Sequence, residues 1–303
     1  MFGWGLQRKS KKAARMVRDQ IRDKIWNKYF GESRVIIIKP SKGWRMLDFK
    51  ELWAYRELLW TFAIRDIKVQ YKQTLLGCAW AVIQPVMGMV IFSVIFGHWA
   101  KIPSEGYPYP IFVYAGLLPW AFFANSLSSS ANSVVGSAGL ITKVYFPRLI
   151  VPLASMGSGI LDFLISSGVM LCLMLYYRVG WHPNLLAIPL LMVTAAFTAL
   201  GVGILLSALN VAYRDFRYVI PFLLQIWMYA TPIIYPVGLV PPHWRWVLYL
   251  NPMAGTIDGF RSAFLGKPFN LDVLGLSFCA SVIFFVIGIA YFEKTERSFA
   301  DVI

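Results

Sequence analysis

The residue types that usually perform catalysis are sparse in this chain and do not cluster. His98, His182 and His243 fall in separate predicted loops, and no HExxH, GxSxG or carboxylate cluster lies beside them. General acid–base or metal chemistry needs such groups close together. The sequence therefore disfavours a hydrolase or a transferase.

The cysteines give no sign of a metal or redox site. Cys78, Cys172 and Cys279 are scattered through apolar segments, and no two have CxxC spacing. We interpret them as packing residues and predict no metal site.

A nucleotide-binding loop is also missing. The nearest string is Gly266-Lys267, but Pro268 follows it, and the upstream glycine of GxxxxGK[ST] is absent. We therefore expect no ATPase activity and no bound cofactor in this chain.

The composition indicates the kind of element that positions these residues. Of the 303 residues, 58% are hydrophobic, 16% aromatic and only 15% charged, as in an integral membrane protein. Six segments have the roughly 20 apolar residues that a membrane-spanning helix needs. They are 74–99, 109–131, 149–176, 184–209, 217–236 and 271–292, and Pro85 is a plausible bend in the first.

The basic residues predict the orientation. Residues 1–73 hold 18 of the 29 Lys and Arg residues, and the predicted outside loops hold only five. Cytoplasmic loops are enriched in Lys and Arg, so both termini should be cytoplasmic. Anionic lipid explains the basic N-terminal region better than nucleic acid does.

Small residues predict close helix packing within the bundle. Ser155 and Gly159 recur at helical spacing in one span, and Gly201, Gly203 and Ser207 do so in another. Such residues let helix backbones approach each other in lipid.

Asp162 is the only acid deep in a predicted span. An intramembrane carboxylate suggests transport by default. Because no second acid, His or Lys lies at that depth, we favour a structural hydrogen-bonding role over a proton relay.

An amphipathic helix is predicted over 49–73, directly before the first span. Phe49, Trp53, Trp60 and Ile64 recur on one face, and basic residues occupy the other. This pattern is typical of a helix at a membrane surface. It serves either as an anchor or as a lever that transmits a partner's movement to the first span. Before it, residues 1–48 form a basic extension, with a helical pattern at 13–29 and a short predicted strand at 34–40.

The segment before the last span is too interrupted to be another span. Asn251 is a good N-cap, Pro252 suits the first helical position, and Gly266 is a good stop. The predicted helix is too short to cross, so it should lie at the outer interface or enter the membrane and return. Ile257, Phe260 and Phe264 form its apolar face, with Asp258 and Arg261 on the other, while Trp244, Trp246 and Tyr249 before it suit an interfacial belt or sugar stacking.

Five motifs in order resemble the permease subunit of bacterial ABC-2 type polysaccharide exporters, most closely those for O-antigen. They are RDIKVQYKQTLLGCAWAVIQP at 65–85, TKVYFPR at 142–148, NVAYRDFRYVIPFLLQIWMYATPIIYP at 210–236, NPMAGTIDGFR at 251–261 and ERSFADVI at 296–303. The resemblance covers residues 34–303.

The resemblance implies an all-α integral membrane fold, with six spans, an interface helix and short outer gate helices. It also implies a homodimer in the bacterial inner membrane, with two copies of a separate ATPase that binds ATP and Mg. The substrate would be a lipid-diphosphate-linked polysaccharide. The expected domains are residues 1–48, the interface helix 49–73, the transmembrane domain 74–292 and the cytoplasmic tail 293–303.

Residue roles follow from those positions. Arg65, Lys68 and Lys72 would meet the lipid diphosphate or act only as cytoplasmic anchors. Tyr213, Arg214 and Asp215 would form a local salt bridge or a partner contact. The expected sites are: ATPase coupling at Thr142, Lys143, Tyr145 and Arg148; the outer gate at Trp244, Trp246, Tyr249, Asp258, Phe260 and Arg261; and a sugar path at Trp80, Trp120, Trp227 and Tyr229, where packing is the alternative.

Three alternatives remain at this stage. A capsule or teichoic-acid exporter would use the same architecture. An ion-driven carrier should show coupled intramembrane charges and inverted repeats. A membrane sugar transferase should show paired catalytic acids.

Overall fold

Two helices precede the first long apolar helix. The computed structural model describes residues 49–72, 77–296 and Phe299. Helix α1 is Phe49–Ala54 and helix α2 is Arg56–Lys72, so the predicted amphipathic helix is divided at Tyr55. The predicted strand at 34–40 and the rest of the basic extension lie outside the described residues. So do residues 73–76, which join α2 to the first span.

Five helices are long and apolar enough to cross a membrane, and each corresponds to a predicted span. The described residues contain helices and turns but no strand. The long helices are α3, Ala79–Phe92, which continues as a π-helical turn Ser93–Trp99; α4, Tyr109–Gly136; α6, Ile150–Tyr176; α7, Ile188–Ala212, which follows a 3₁₀ turn Pro183–Ala187; and α11, Leu271–Thr295. A short helix α5, Ala138–Ile141, lies between α4 and α6.

The remaining predicted span, 217–236, is only partly helical. Helix α8, Phe216–Ala230, has 15 residues and is followed by the non-helical segment 231–236. At about 1.5 Å per residue α8 is about 22 Å long, shorter than a membrane core of about 30 Å. The prediction of six membrane-spanning helices is therefore not confirmed, because this segment has too few helical residues.

Small residues bring neighbouring long helices into close contact, as predicted. A Cβ atom on Gly203 of α7 would lie 2.7 Å from Cβ of Ser130 on α4. A Cβ atom on Gly201 would lie 2.6 Å from the main-chain carbon of Phe284 on α11, and one on Gly288 would overlap the carbonyl oxygen of Gly201. The backbones of α7 and α11 therefore touch at these two glycines.

Two short helices lie between α8 and the last long helix. Helix α9, Arg245–Tyr249, follows a 3₁₀ turn Pro242–Trp244, and helix α10 is Pro252–Leu265. The Asn251 side chain accepts a hydrogen bond from the Met253 amide at 3.0 Å, and Gly266 ends α10 with φ of 71°. Every α10 residue except Asp258 is buried, so this helix packs among the long helices and does not rest on their surface.

Candidate functional site

A polar cavity of about 330 Å³ lies between the end of α2 and helices α3, α4 and α6. Phe122 and Phe163 form part of its wall, and Trp80 lies at its edge with 54% of its surface exposed. Most of the other lining groups are amides and hydroxyls. The polar residues that line it are Gln70, Tyr71, Gln84, Asn125, Ser128, Ser129, Ser158, Asp162 and Ser166.

Asp162 joins α6 to α2 at this cavity. Its carboxylate is 8% exposed and accepts hydrogen bonds from the Tyr71 hydroxyl and, at 3.2 Å, from the Gln70 amide nitrogen. Burial raises the pKa of Tyr71 above its ordinary value, and the hydrogen bond to Asp162 raises it further. The phenol therefore remains a hydrogen-bond donor at neutral pH. The predicted hydrogen-bonding role of Asp162 is confirmed, and its partners lie on the helix before the first span.

Ser166 satisfies a carbonyl group that Pro85 leaves open. Proline has no N–H, so a helix that contains Pro85 cannot pair the carbonyl oxygen of Ala81 in the usual way. The Ser166 hydroxyl donates to that oxygen at 2.6 Å, and the Tyr114 hydroxyl donates to the Ser166 carbonyl at 3.0 Å. The predicted bend site in α3 is therefore bonded to α6, which forms the opposite wall of the cavity.

Arg65, Lys68 and Lys72, here called the basic stripe, lie on one exposed face of α2. Lys68 and Lys72 lie away from Phe62 and Ala63, which are buried, whereas the Arg65 guanidinium lies 4.8 Å from the Phe62 ring centroid. Arg65 pairs with Asp66 at 2.8 Å, whereas neither lysine has an ion-pair partner among the described residues. None of the three lines the polar cavity, so the structure separates the predicted diphosphate contacts from this cavity.

Residues 142–148, here called the coupling segment, project from the end of the bundle where α6 begins. Thr142, Lys143 and Tyr145 are exposed. Arg148 instead donates to the Glu296 carbonyl oxygen at the end of α11 and lies 6.0 Å from the Phe299 ring centroid. Arg148 therefore has an internal structural contact, and the other three side chains are accessible to a partner.

Tyr213, Arg214 and Asp215 lie in the loop between α7 and α8, and all three are exposed. Asp215 forms no ion pair with any residue in the described part of the chain. The local salt bridge considered from the sequence is therefore absent there.

Arg261 is fully buried, contrary to its expected place on the polar face of α10. Its guanidinium is 1% exposed and lies 3.9 Å from the Phe112 ring centroid. It donates to the carbonyl oxygen of Ile233 at 2.6 Å and to that of Tyr235 at 3.4 Å. Burial lowers the pKa of Arg261 to about 10, so it remains charged at neutral pH. Arg261 thus supplies hydrogen bonds to the non-helical segment 231–236, where the regular helical partners are missing.

The other predicted gate residues have varied environments. Phe260 is buried and packs on Phe163, whereas Trp244 and Trp246 are exposed and Tyr249 is half-buried. Asp258 is half-buried, and burial raises its pKa against the opposing effect of Arg261.

The four predicted sugar-path aromatics do not share one surface. Trp80 lines the polar cavity, and Tyr229 is exposed on α8. Trp120 is 5% exposed and packs on Phe123 in the apolar core. Trp227 donates to the Asn251 side chain at 2.9 Å and lines a second cavity, near α9.

The described residues offer little for a metal or for covalent chemistry. They contain no group of three His, Cys, Asp or Glu side chains that could hold a metal ion. The three cysteines are exposed and unpaired by disulfides.

Sequence comparisons identify relatives over most of the chain. Residues 57–265 match the family described as ABC-2 type transporter. The chain is 30% identical over 250 residues to the O-antigen export system permease protein RfbA of Klebsiella pneumoniae, covering 82% of this chain and 95% of that protein. It is 29% identical to the protein of the same name from Myxococcus xanthus, covering 83% and 97%. It is 22% identical to the polysialic acid transport protein KpsM of Escherichia coli, covering 78% and 92%.

Proposed function

Because the chain belongs to the ABC-2 type transporter family, we propose that it is the membrane-spanning subunit of an ATP-driven exporter of lipid-linked polysaccharide, with O-antigen as the cargo. The observation that carries this proposal is the match of 82–83% of the chain to O-antigen export permeases. The sequence has no P-loop, so ATP and Mg would be bound by a separate subunit.

The test pairs this chain with the ATPase encoded beside it. Both are expressed in cells that synthesise the lipid-linked glycan but lack their own exporter, and surface polysaccharide is measured. We expect surface glycan with the intact partner and none when its Walker lysine is substituted. Normal export with the substituted partner would refute ATP-driven transport.

The position of α8 favours six membrane crossings over five. Helix α8 begins next to the end of α7, and the Tyr109 hydroxyl at the start of α4 donates to the Ile234 carbonyl at 2.7 Å. The start of α4 and the end of α7 lie at opposite ends of the bundle, because these two long helices are packed together and parallel: Gly203 packs on Ser130, and the Asn210 side chain donates to the Ala131 carbonyl at 3.2 Å. We propose that α8 and residues 231–236 together make the sixth crossing, with both termini in the cytoplasm.

The coupling segment is proposed to dock on the ATPase. Thr142, Lys143 and Tyr145 are exposed there, and the neighbouring Phe146 packs on Phe62 of α2 with ring centroids 5.7 Å apart. A displacement of this segment would therefore reach α2 directly. We further propose that two copies of the chain form the functional unit with two ATPase subunits.

Two other polymers are alternative cargoes. The polysialic acid transport protein is also a relative, which favours a capsular polysaccharide as the second candidate. Teichoic acid remains an alternative of the same architecture. Surface glycan analysis in strains that make only one of these polymers would discriminate among them.

A further inference from the structure

The polar cavity between α2, α3, α4 and α6 has a lining that excludes some ligands. None of the described residues that line it is Lys or Arg, and Asp162 contributes a carboxylate. A diphosphate group would meet no cation there and would be repelled by the carboxylate. An uncharged ligand rich in hydroxyl groups would meet amides, hydroxyls and a hydrogen-bond acceptor.

Several lining groups have no hydrogen-bond partner among the residues that the structure describes. In the described part of the chain, no hydrogen bond is made by the side chains of Gln84, Asn125, Ser128 or Ser129. Asn125, Ser128 and Ser129 are half-buried on one face of α4, and Gln84 faces them from α3. A polar group at membrane depth costs free energy unless water or a ligand pairs with it. These four groups therefore indicate a hydrated or ligand-filled cavity.

We propose that this cavity binds an uncharged sugar unit of the exported glycan, an inference that rests on the proposed function. The amides of Gln84 and Asn125 both donate and accept, which suits sugar hydroxyls. Asp162 keeps lone pairs beyond those used by Tyr71 and Gln70, and the Trp80 indole offers an apolar face for the C–H side of a sugar ring. The volume is at the lower end of the range of about 300–1,000 Å³ for small-molecule pockets, so it fits a short part of the glycan.

The lipid diphosphate would bind elsewhere. The lysines of the basic stripe are exposed on the far side of α2 from Phe62 and Ala63, and they do not line the cavity. The sugar and its diphosphate would therefore be recognised by different groups at the two faces of α2.

The first part of the test asks whether the cavity is hydrated. Cys78, Cys172 and Cys279 are replaced by alanine in the complete complex, and a single cysteine is introduced as Ser129→Cys or, as the control, Leu164→Cys. Leu164 is 62% exposed on α6, which also carries Asp162. A membrane-impermeant methanethiosulfonate reagent should label Ser129→Cys in membranes that are open to the reagent on both sides. Leu164→Cys, at an exposed apolar position of a predicted span, should stay unlabelled. Absence of labelling at Ser129→Cys would overturn the proposal.

The second part identifies the ligand. Labelling is repeated with a partner whose Walker lysine is substituted, in membranes that contain either the lipid-linked glycan or the lipid diphosphate without sugar. The glycan should slow labelling of Ser129→Cys about tenfold, the effect of about 90% occupancy, and the sugar-free lipid should not. Equal protection by both lipids, or protection by neither, would overturn the proposal.

A control separates this inference from the proposed function. The alanine-substituted parent complex with an intact ATPase is first assayed for surface polysaccharide. If that complex exports glycan but Ser129→Cys is not protected, the sugar site is wrong and the exporter assignment stands. If the wild-type complex exports none, the exporter assignment itself is wrong and the sugar site falls with it.

Discussion

At the residue scale, two polar side chains complete the hydrogen bonding of backbone groups inside the bundle. Ser166 donates to the Ala81 carbonyl that Pro85 leaves open, and Arg261 donates to the carbonyls of Ile233 and Tyr235. Pro85 removes one N–H from a continuous helix, and the helix before residues 231–236 has ended, so in both places a side chain replaces the missing main-chain donor.

Arg261→Met should destabilise the protein, because it leaves two buried carbonyl oxygens without this donor. Each unpaired oxygen should lower the free energy of unfolding by about 1–3 kcal/mol. Arg245→Met is the matched control, since Arg245 also donates to a carbonyl oxygen, that of Val240 at 2.9 Å, but is only half-buried. Thermal unfolding of the detergent-purified protein should show a clear decrease in Tm for the first variant and a smaller one for the second. Equal decreases would contradict this role for Arg261.

Neutralising the basic stripe tests the role of its cations. The triple change Arg65→Gln, Lys68→Gln and Lys72→Gln should reduce glycan export more than membrane insertion, because phosphate recognition needs fixed charge. Arg217→Gln with Lys294→Gln is the control, since both residues are exposed near the same end of the bundle. Export and the membrane-inserted amount are measured in the same cells, and an equal loss of both would indicate an anchoring role alone.

At the element scale, the contact between α7 and α11 depends on glycine. Gly201 and Gly288 bring the two backbones together, and a hydrogen bond of 2.8 Å between Thr198 and Ser281 joins the same helices. Close packing of this kind replaces the hydrophobic effect as the force that holds helices together in lipid.

Gly288→Ala should separate α7 from α11, because its methyl group would overlap the Gly201 carbonyl oxygen. Gly275→Ala on the same helix is the control, since no atom lies within 4 Å of its added carbon. Alanine is favoured over glycine in helices by about 1 kcal/mol, so the control should be neutral or stabilising. Size-exclusion profiles after heating would measure both, and a stable Gly288→Ala protein would contradict the packing described.

At the scale of the whole molecule, the course of the chain between α7 and α11 determines how many times the chain passes along the bundle. The Asn184 side chain donates to the Lys267 carbonyl at 2.8 Å, so the segment after α10 lies at the end of the bundle where α7 begins. The chain must therefore return from the opposite end between residues 213 and 267, and α8 with the residues after it is the segment that returns.

Single cysteines in a cysteine-free background should report this crossing. Tyr145→Cys and Tyr213→Cys should react with an impermeant thiol reagent from the cytoplasmic side only. Lys101→Cys and His243→Cys should react from the outer side only, because the basic residues predict that orientation. Labelling of Tyr213→Cys and His243→Cys from the same side would exclude a crossing by α8.

Local properties of the sequence determined the class of the protein and most of its elements. Hydropathy and length located the five long helices, and cap residues located α10, because such signals depend only on neighbours along the chain. The small residues Gly201 and Gly203 indicated close packing for the same reason, and the ordered motifs indicated the family.

Only the tertiary structure decided which polar groups meet. Asp162 and Tyr71 are 91 residues apart, and no periodicity along the chain relates them. Helical spacing set Arg261 apart from the apolar face of α10, yet it is buried because the carbonyls that it serves lie on a different segment. Trp80 and Trp120 are the same residue type in neighbouring spans, and one lines the polar cavity while the other lies in the core. The composition of a helix fixes whether it enters the membrane, whereas its neighbours fix which of its faces meets water, lipid or another helix.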